Sequence, residues 1–141
     1  MISHPDIQLI AFTGSREVGL RILQKANQMQ PGQRHIKKVI AELGGKNAII
    51  VDTSADPDEA IAGILQSAFG YQGQKCSACS RVVVVGRRYD EFVKRLCDAA
   101  ESLHMAPPWL PESDIGPVIN AAAKQRILAA IHQGGLHGRL A

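Results

Sequence analysis

One cysteine of this 141-residue chain lies where a nucleophile would be expected. Cys76 follows a Gly-Gln-Lys turn and precedes a valine-rich strand candidate at residues 81–85. A thiol is intrinsically a strong nucleophile, and a cationic neighbour such as Lys75 favours its thiolate form. Upstream, Glu42 ends a short apolar run before two glycines, and a carboxylate can act as a general base. The two residue types together predict covalent catalysis by a thiol.

A third segment has the form of an anion-binding turn. The run Thr13-Gly14-Ser15 follows an apolar stretch and precedes a helical pattern. Free amides and the positive end of a helix attract phosphate groups, so this turn is a candidate phosphate site. By itself, the same pattern is also typical of an ordinary turn followed by a capped helix.

These three segments resemble signatures of the aldehyde dehydrogenase superfamily. Residues 10–19 (IAFTGSREVG) are similar to the family's cofactor turn, residues 41–46 (AELGGK) to its general-base segment, and residues 69–80 (FGYQGQKCSACS) to its nucleophile segment. Their order and separation also fit. Within the superfamily, the segments are most similar to the 1-pyrroline-5-carboxylate (glutamate-γ-semialdehyde) dehydrogenase branch.

The resemblance implies an NAD-dependent oxidoreductase of proline catabolism, with the acceptance of NADP left open. It implies that the Cys76 thiolate attacks an aldehyde, that hydride passes to the nicotinamide, and that Glu42 activates water to hydrolyse the thioester. It places the small-molecule aldehyde beside Lys75 and Ser77, with Ser77 near the substrate carboxylate. The residues that it assigns to the cofactor are Gly14, Ser15, Val18, Gly19 and Leu43.

A complete member of the superfamily is several times longer than this chain, so the resemblance implies an internal piece of a larger enzyme. The expected fold is α/β, a layered and mostly parallel sheet like that of aldehyde dehydrogenases, but incomplete. We expect residues 1–38 to be the end of the Rossmann-type, dinucleotide-binding half. Residues 39–141 are expected to form part of the catalytic half, which carries the thiol.

The elements that must position these residues alternate between strands and helices, which favours a parallel sheet. Strands are predicted at residues 9–12, 39–43, 48–51 and 81–85. Helices are predicted from a Ser15 cap to a stop at Pro31-Gly32, from an Asp56 cap to residue 69, and at residues 89–103 and 120–132. The valine-rich strand has almost no polar alternation, which predicts cover on both faces.

Composition argues against several classes of function. The net charge of +3 and one short basic run without aromatic residues do not indicate nucleic-acid binding. No segment is apolar enough to span a membrane. The three cysteines predict free thiols in a reducing, cytoplasmic setting. Cys76 and Cys79 form a single Cys-x-x-Cys without a second such pair, so neither a metal site nor a redox pair is favoured over a nucleophile.

Two alternatives remain open at this stage. The chain could be a truncated, non-catalytic remnant, or it could belong to an aldehyde dehydrogenase of another substrate class. As an internal piece of a larger fold, the chain would have strands with unpaired edges or bare apolar faces, which drive association. We therefore expect self-association of the chain, by oligomerisation or by swapping of elements between copies, or else a mobile amino-terminal third.

Overall fold

The computed structural model describes residues 1–140, which form two compact units, Met1–Gly45 and a second unit from Lys46 onward. Each unit contains two parallel strands joined through a helix. The first has β1 (Leu9–Thr13), α1 (Arg16–Ala26) and β2 (Lys38–Glu42). The second has β3 (Asn47–Val51), α2 (Pro57–Phe69), a 3-10 turn (Gly70–Gly73), β4 (Cys79–Val84), α3 (Tyr89–Glu101) and α4 (Ala121–Gly135).

The predicted α/β class with parallel pairing is confirmed by both sheets. The strands form two separate two-stranded ladders, β1–β2 and β3–β4. Because β2 pairs with β1 along its whole length, β2 belongs to the first unit, and the boundary by contacts falls after Gly45. The division into functional halves after residue 38 stays a prediction.

In the first unit, α1 begins as its sequence predicts. The Ser15 hydroxyl accepts a hydrogen bond from the Val18 amide at 3.4 Å and caps the helix. The buried stripe of the helix consists of Gly19, Ile22 and Ala26, which recur at three- and four-residue intervals. The three- and four-residue spacing of Val18, Ile22 and Ala26 in the sequence predicts that Val18 lies on this stripe. This prediction is wrong, because the Val18 side chain is exposed and the small residue Gly19 takes the buried position instead.

The predicted end of α1 is also wrong. The helix ends at Ala26, well before Pro31-Gly32, and Met29 lies outside it with an exposed side chain. The amide of Asn27 closes the last turn by donating to the Leu23 carbonyl at 3.2 Å. The next residues offer no apolar side chain that packs on the sheet, so continuing the helix would gain little.

The core of the second unit lies between β3–β4 and the helices α2 and α3. Its buried members are Val51, Ile61, Ile64 and Phe92. Burying each large apolar side chain contributes about 1.5–3 kcal/mol, so this cluster holds the unit together. The start of α2 is as predicted: Pro57 is the first helical residue, and the Asp56 carboxylate accepts from the Asp58 amide at 2.8 Å.

One face of the β3–β4 ladder is uncovered in the described structure. Ile50, Val83 and Val85 on this face are 70%, 48% and 47% exposed. The alternate side chains of both strands point to the opposite face, where α2 and α3 pack. The valine-rich strand β4 was predicted to be covered on both faces. This prediction is wrong for residues 1–140, because α2 and α3 both pack on the same side of the ladder.

None of the described helices combines the length and the apolar character that crossing a membrane requires.

Candidate active site

The first unit brings Glu42 next to the predicted cofactor turn. Parallel pairing aligns Thr13 with Glu42 at the carboxyl ends of β1 and β2. The Gly14 amide donates to the Glu42 backbone carbonyl at 3.1 Å, so the turn is anchored through the main chain of Glu42. The Glu42 side chain, by contrast, is exposed and has no role in this anchor. Its carboxylate is therefore free for chemistry.

Gly19 and Leu43, both assigned to the cofactor site, contact each other. A Cβ atom on Gly19 would lie 2.7 Å from Leu43 Cδ2, which is closer than side-chain atoms tolerate. The glycine thus lets α1 approach the segment that follows β2. Gly19 is itself buried, so its effect on a cofactor would come through this packing, whereas Gly14, Ser15 and Val18 are exposed at the helix start.

In the second unit, Cys76 occupies a tight turn. The Ala78 amide donates to the Lys75 carbonyl at 3.1 Å, which places Cys76 and Ser77 at the two central positions. Lys75, Cys76 and Ser77 are all exposed, so the structure brings the three predicted side chains together at one accessible point. The Cys76 thiol is free.

Two side chains brace this turn from either side. Asn47 Nδ2, at the start of β3, donates to the Cys76 carbonyl at 2.7 Å and to the Ala78 carbonyl at 3.2 Å. Ser67 Oγ, on α2, accepts from the Cys79 amide at 3.1 Å. The Cys76 turn is therefore tied both to the neighbouring strand and to the preceding helix.

The approach to the turn has an unusual backbone. Tyr71, Gln72 and Gly73 have positive φ angles of 57°, 54° and 67°. Only glycine adopts this left-handed conformation without cost, and each of the other two residues costs about 1–2 kcal/mol. At Gly73, a Cβ atom would also lie 2.8 Å from the Ala68 carbonyl oxygen. Strain of this kind persists where the surrounding structure fixes the chain, and it is concentrated at functional sites.

Comparison with known proteins identifies the family of the chain. Residues 1–139 match the family described as the aldehyde dehydrogenase family. The chain belongs to that family.

Two curated relatives of this aldehyde dehydrogenase chain are named 1-pyrroline-5-carboxylate dehydrogenase. The chain is 45% identical over 140 residues to a 1-pyrroline-5-carboxylate dehydrogenase of Geobacillus thermodenitrificans, and 46% identical over 140 residues to 1-pyrroline-5-carboxylate dehydrogenase 2 of Bacillus subtilis. Each match covers 99% of this chain but 27% of the relative. The chain thus spans about a quarter of the length of these relatives, and its predicted resemblance to this branch is confirmed.

Solved structures agree with this result. Proline utilization A of Bdellovibrio bacteriovorus is 47% identical with a TM-score of 0.94, and the match covers 99% of this chain and 15% of that one. A 1-pyrroline-5-carboxylate dehydrogenase from Thermus with bound NAD is 43% identical with a TM-score of 0.91, and the match covers 99% and 27% of the two chains. The predicted fold, an incomplete aldehyde dehydrogenase, is therefore confirmed.

Glu42 and Cys76 of this aldehyde dehydrogenase chain belong to different units. Their pairing as base and nucleophile stays a prediction from the sequence. Of the other two cysteines, Cys79 is the half-buried first residue of β4, and Cys97 is half-buried on α3. Within residues 1–140, no group of three His, Cys, Asp or Glu side chains is arranged to hold a metal ion.

A small cavity of about 80 Å³ lies at the carboxyl ends of β3 and β4, whereas Cys76 precedes the amino end of β4. Two of its charged groups form an ion pair: Arg88 Nη2 and Glu91 Oε1 are 2.8 Å apart, and this contact lowers the pKa of Glu91. The pKa of Asp52 is also lowered, chiefly by the Ser54 hydroxyl. The predicted thiol lies outside this cavity, so the exposed Cys76 turn is the better candidate site for the predicted chemistry.

Sequence reasoning did not find Asn47 and Ser67. Asn47 lies 29 residues before Cys76, and Ser67 lies 12 residues before Cys79. No local pattern connects an asparagine at a strand start with a turn that far away.

Proposed function

We propose that this chain supplies the nucleophile and the general base for NAD-dependent oxidation of glutamate-γ-semialdehyde to glutamate. The observation that carries the proposal is the exposed Cys76 on a braced turn, in a chain whose relatives are named 1-pyrroline-5-carboxylate dehydrogenases. An accessible thiol that follows a lysine in the chain is typical of reactive cysteines. In the full enzyme, the remaining parts of the pocket come from segments that correspond to the rest of its relatives' length.

The first half of the reaction takes place on Cys76. Its thiolate sulfur bonds to the aldehyde carbon, and the carbonyl π electrons move to the oxygen to give a thiohemiacetal. The carbon then loses a hydride while the C–O double bond re-forms, which leaves a thioester on Cys76. When bound, NAD supplies the chemistry of this step by accepting the hydride and its two electrons.

The second half needs a base. Glu42 takes a proton from water while the water oxygen bonds to the thioester carbon. The C–S bond then breaks, which releases the carboxylic acid and returns the Cys76 thiolate. The exposed carboxylate of Glu42, at the end of β2, is free to accept this proton because the local hydrogen bonding uses only its backbone.

The start of α1 fits a dinucleotide phosphate. Within residues 1–140, the amides of Arg16 and Glu17 have no hydrogen-bond acceptor, and they lie at the helix end that favours negative charge. Gly14 and Ser15 are exposed beside them at the carboxyl ends of parallel strands, which is where such folds bind nucleotides. The Glu17 carboxylate is paired with Arg21 Nη2 at 2.6 Å, which offsets its negative charge.

The substrate carboxylate is assigned to Lys75 and Ser77. Both side chains are exposed on either side of Cys76, and an ammonium and a hydroxyl are donors that a carboxylate accepts. This arrangement supports an aldehyde substrate that also carries a carboxylate.

A chimera tests the proposed function. Residues 1–140 replace the equivalent segment of the Bacillus subtilis relative, which is 46% identical, and NADH formation is followed by absorbance. We expect oxidation of glutamate-γ-semialdehyde within about tenfold of the host enzyme, because the replaced segment carries the same chemistry. The unmodified host is the control. A folded, NAD-binding chimera without turnover would favour the non-catalytic alternative.

We also propose self-association of the chain through the uncovered β3–β4 face. Ile50, Val83 and Val85 form an exposed apolar surface, and such surfaces mark association sites. Light scattering on the 141-residue chain is expected to give a mass above that of a monomer, and Val83→Lys is expected to reduce it. The matched control is Arg87→Lys, which keeps the charge at an exposed position. A monomer at every concentration would contradict the proposal.

A further inference from the structure

The side chain of Asn47 makes its two hydrogen bonds to the nucleophile turn. Nδ2 donates to the carbonyl of Cys76 itself at 2.7 Å and to that of Ala78 at 3.2 Å. Asn47 is exposed and stands at an irregularity in the β3–β4 register, where its pairing with Cys79 is followed by that of Ala48 with Arg81. Its side chain therefore adds nothing to the core and acts on the turn alone.

We propose that Asn47 is a positioning residue for the Cys76 nucleophile, an inference that rests on the proposed function. Planar trans peptides carry their carbonyl and amide groups on opposite sides. With the Cys76 carbonyl held toward Asn47, the Ser77 amide points away from it. With the Lys75 carbonyl held by the Ala78 amide inside the turn, the Cys76 amide points out of the turn.

Both of these amides are free. In the part of the chain that the structure describes, neither the Cys76 nor the Ser77 amide has a hydrogen-bond acceptor. The carbonyls of Lys75 and Cys76, in contrast, both accept hydrogen bonds. When the Cys76 sulfur attacks an aldehyde, negative charge develops on the carbonyl oxygen next to the turn. Backbone amides that are already oriented stabilise such charge without reorganising during the reaction. Asn47 therefore holds the backbone that carries both the thiol and the donors beside it.

The effect of losing this anchor follows from geometry. A displacement of about 1 Å at a reacting group can lower the rate about 10²-fold. Since Asn47 is exposed, Asn47→Asp keeps its size and leaves the fold intact, but it removes both donor hydrogens and turns a carboxylate toward two carbonyls. We expect the turn to loosen and the acylation step to slow, with substrate and cofactor affinity retained.

The first test does not depend on activity. Amide hydrogen exchange in the 141-residue chain is measured by NMR, and Asn47→Asp is expected to speed exchange at Ala78 and Cys79 about tenfold or more. The matched control is Arg81→Ala, which removes a guanidinium bond to the Lys46 carbonyl at the same strand end. We expect this control to leave exchange at Ala78 and Cys79 unchanged. Equal exchange at these two amides in the Asn47→Asp variant and the unmodified chain would overturn the positioning role.

The second test uses the chimera described above. Asn47→Asp is expected to lower kcat about 10²-fold while the KM for NAD stays the same, and Arg81→Ala is expected to change neither. An unchanged kcat in the Asn47→Asp chimera would contradict the inference while leaving the proposed function in place. Turnover that persists after Cys76→Ser would instead overturn the proposed function, and the exchange experiment would still decide whether Asn47 holds the turn.

Discussion

Cys76→Ser in the chimera is expected to abolish NADH formation, with a loss of about 10⁴-fold or more in kcat. Serine is nearly isosteric with cysteine, but its hydroxyl is not ionised at neutral pH and has no base next to it in the turn. Because the Cys76 side chain is exposed and only its backbone carbonyl is bonded to Asn47, the substitution leaves the turn unchanged. The measurement is steady-state absorbance with saturating substrate and NAD.

Cys79→Ser is the matched control for this experiment. Cys79 is half-buried at the start of β4, and its thiol donates to the Arg81 carbonyl at 3.2 Å, a bond that a serine hydroxyl can replace. We expect this variant to stay within about tenfold of the parent chimera. If the Cys79 variant were inactive while the Cys76 variant kept its turnover, the two cysteines would have been assigned the wrong roles.

The sequence predicted those parts of the fold that are determined by neighbouring residues. The caps at Ser15 and Asp56 could be predicted because a capping side chain bonds amides two or three residues away. The end of α1 could not be predicted, because it depends on which side chains reach the sheet. The exposed face with Ile50 and Val83 depends on where α2 and α3 pack, and strand composition does not contain that information.

The same distinction applies to the candidate site. Cys76 and Lys75 are adjacent in sequence and were found through their local pattern. The positive φ angle of Gly73 is compatible with its residue type, because glycine adopts this conformation readily. Tyr71 and Gln72 had no such signal in their residue types, since neither residue favours positive φ. Asn47 acts across two strands, so only the parallel pairing of β3 with β4 reveals its contact with the turn.

Glu42→Gln in the chimera is expected to separate the two halves of the reaction. Glutamine has the size of glutamate, but its amide cannot accept a proton from water. Hydride transfer from the thiohemiacetal does not require this base, so we expect a burst of about one NADH per active site. Steady-state turnover is expected to fall by about 10²–10⁴-fold, which is the usual contribution of a general base. Rapid-mixing absorbance resolves the burst from the slow phase that follows.

The geometry of the first unit makes this substitution selective. Gly14 is anchored through the backbone carbonyl of Glu42, which glutamine retains, so the cofactor turn keeps its position and the KM for NAD stays unchanged. Glu59→Gln provides a matched control, because it makes the same chemical change at an exposed position in the first turn of α2. We expect this control to change neither the burst nor the steady-state turnover. Unaltered steady-state turnover in Glu42→Gln would remove Glu42 from the mechanism. Loss of the burst together with turnover would place Glu42 before the thioester, where it would act on the Cys76 thiol rather than on water.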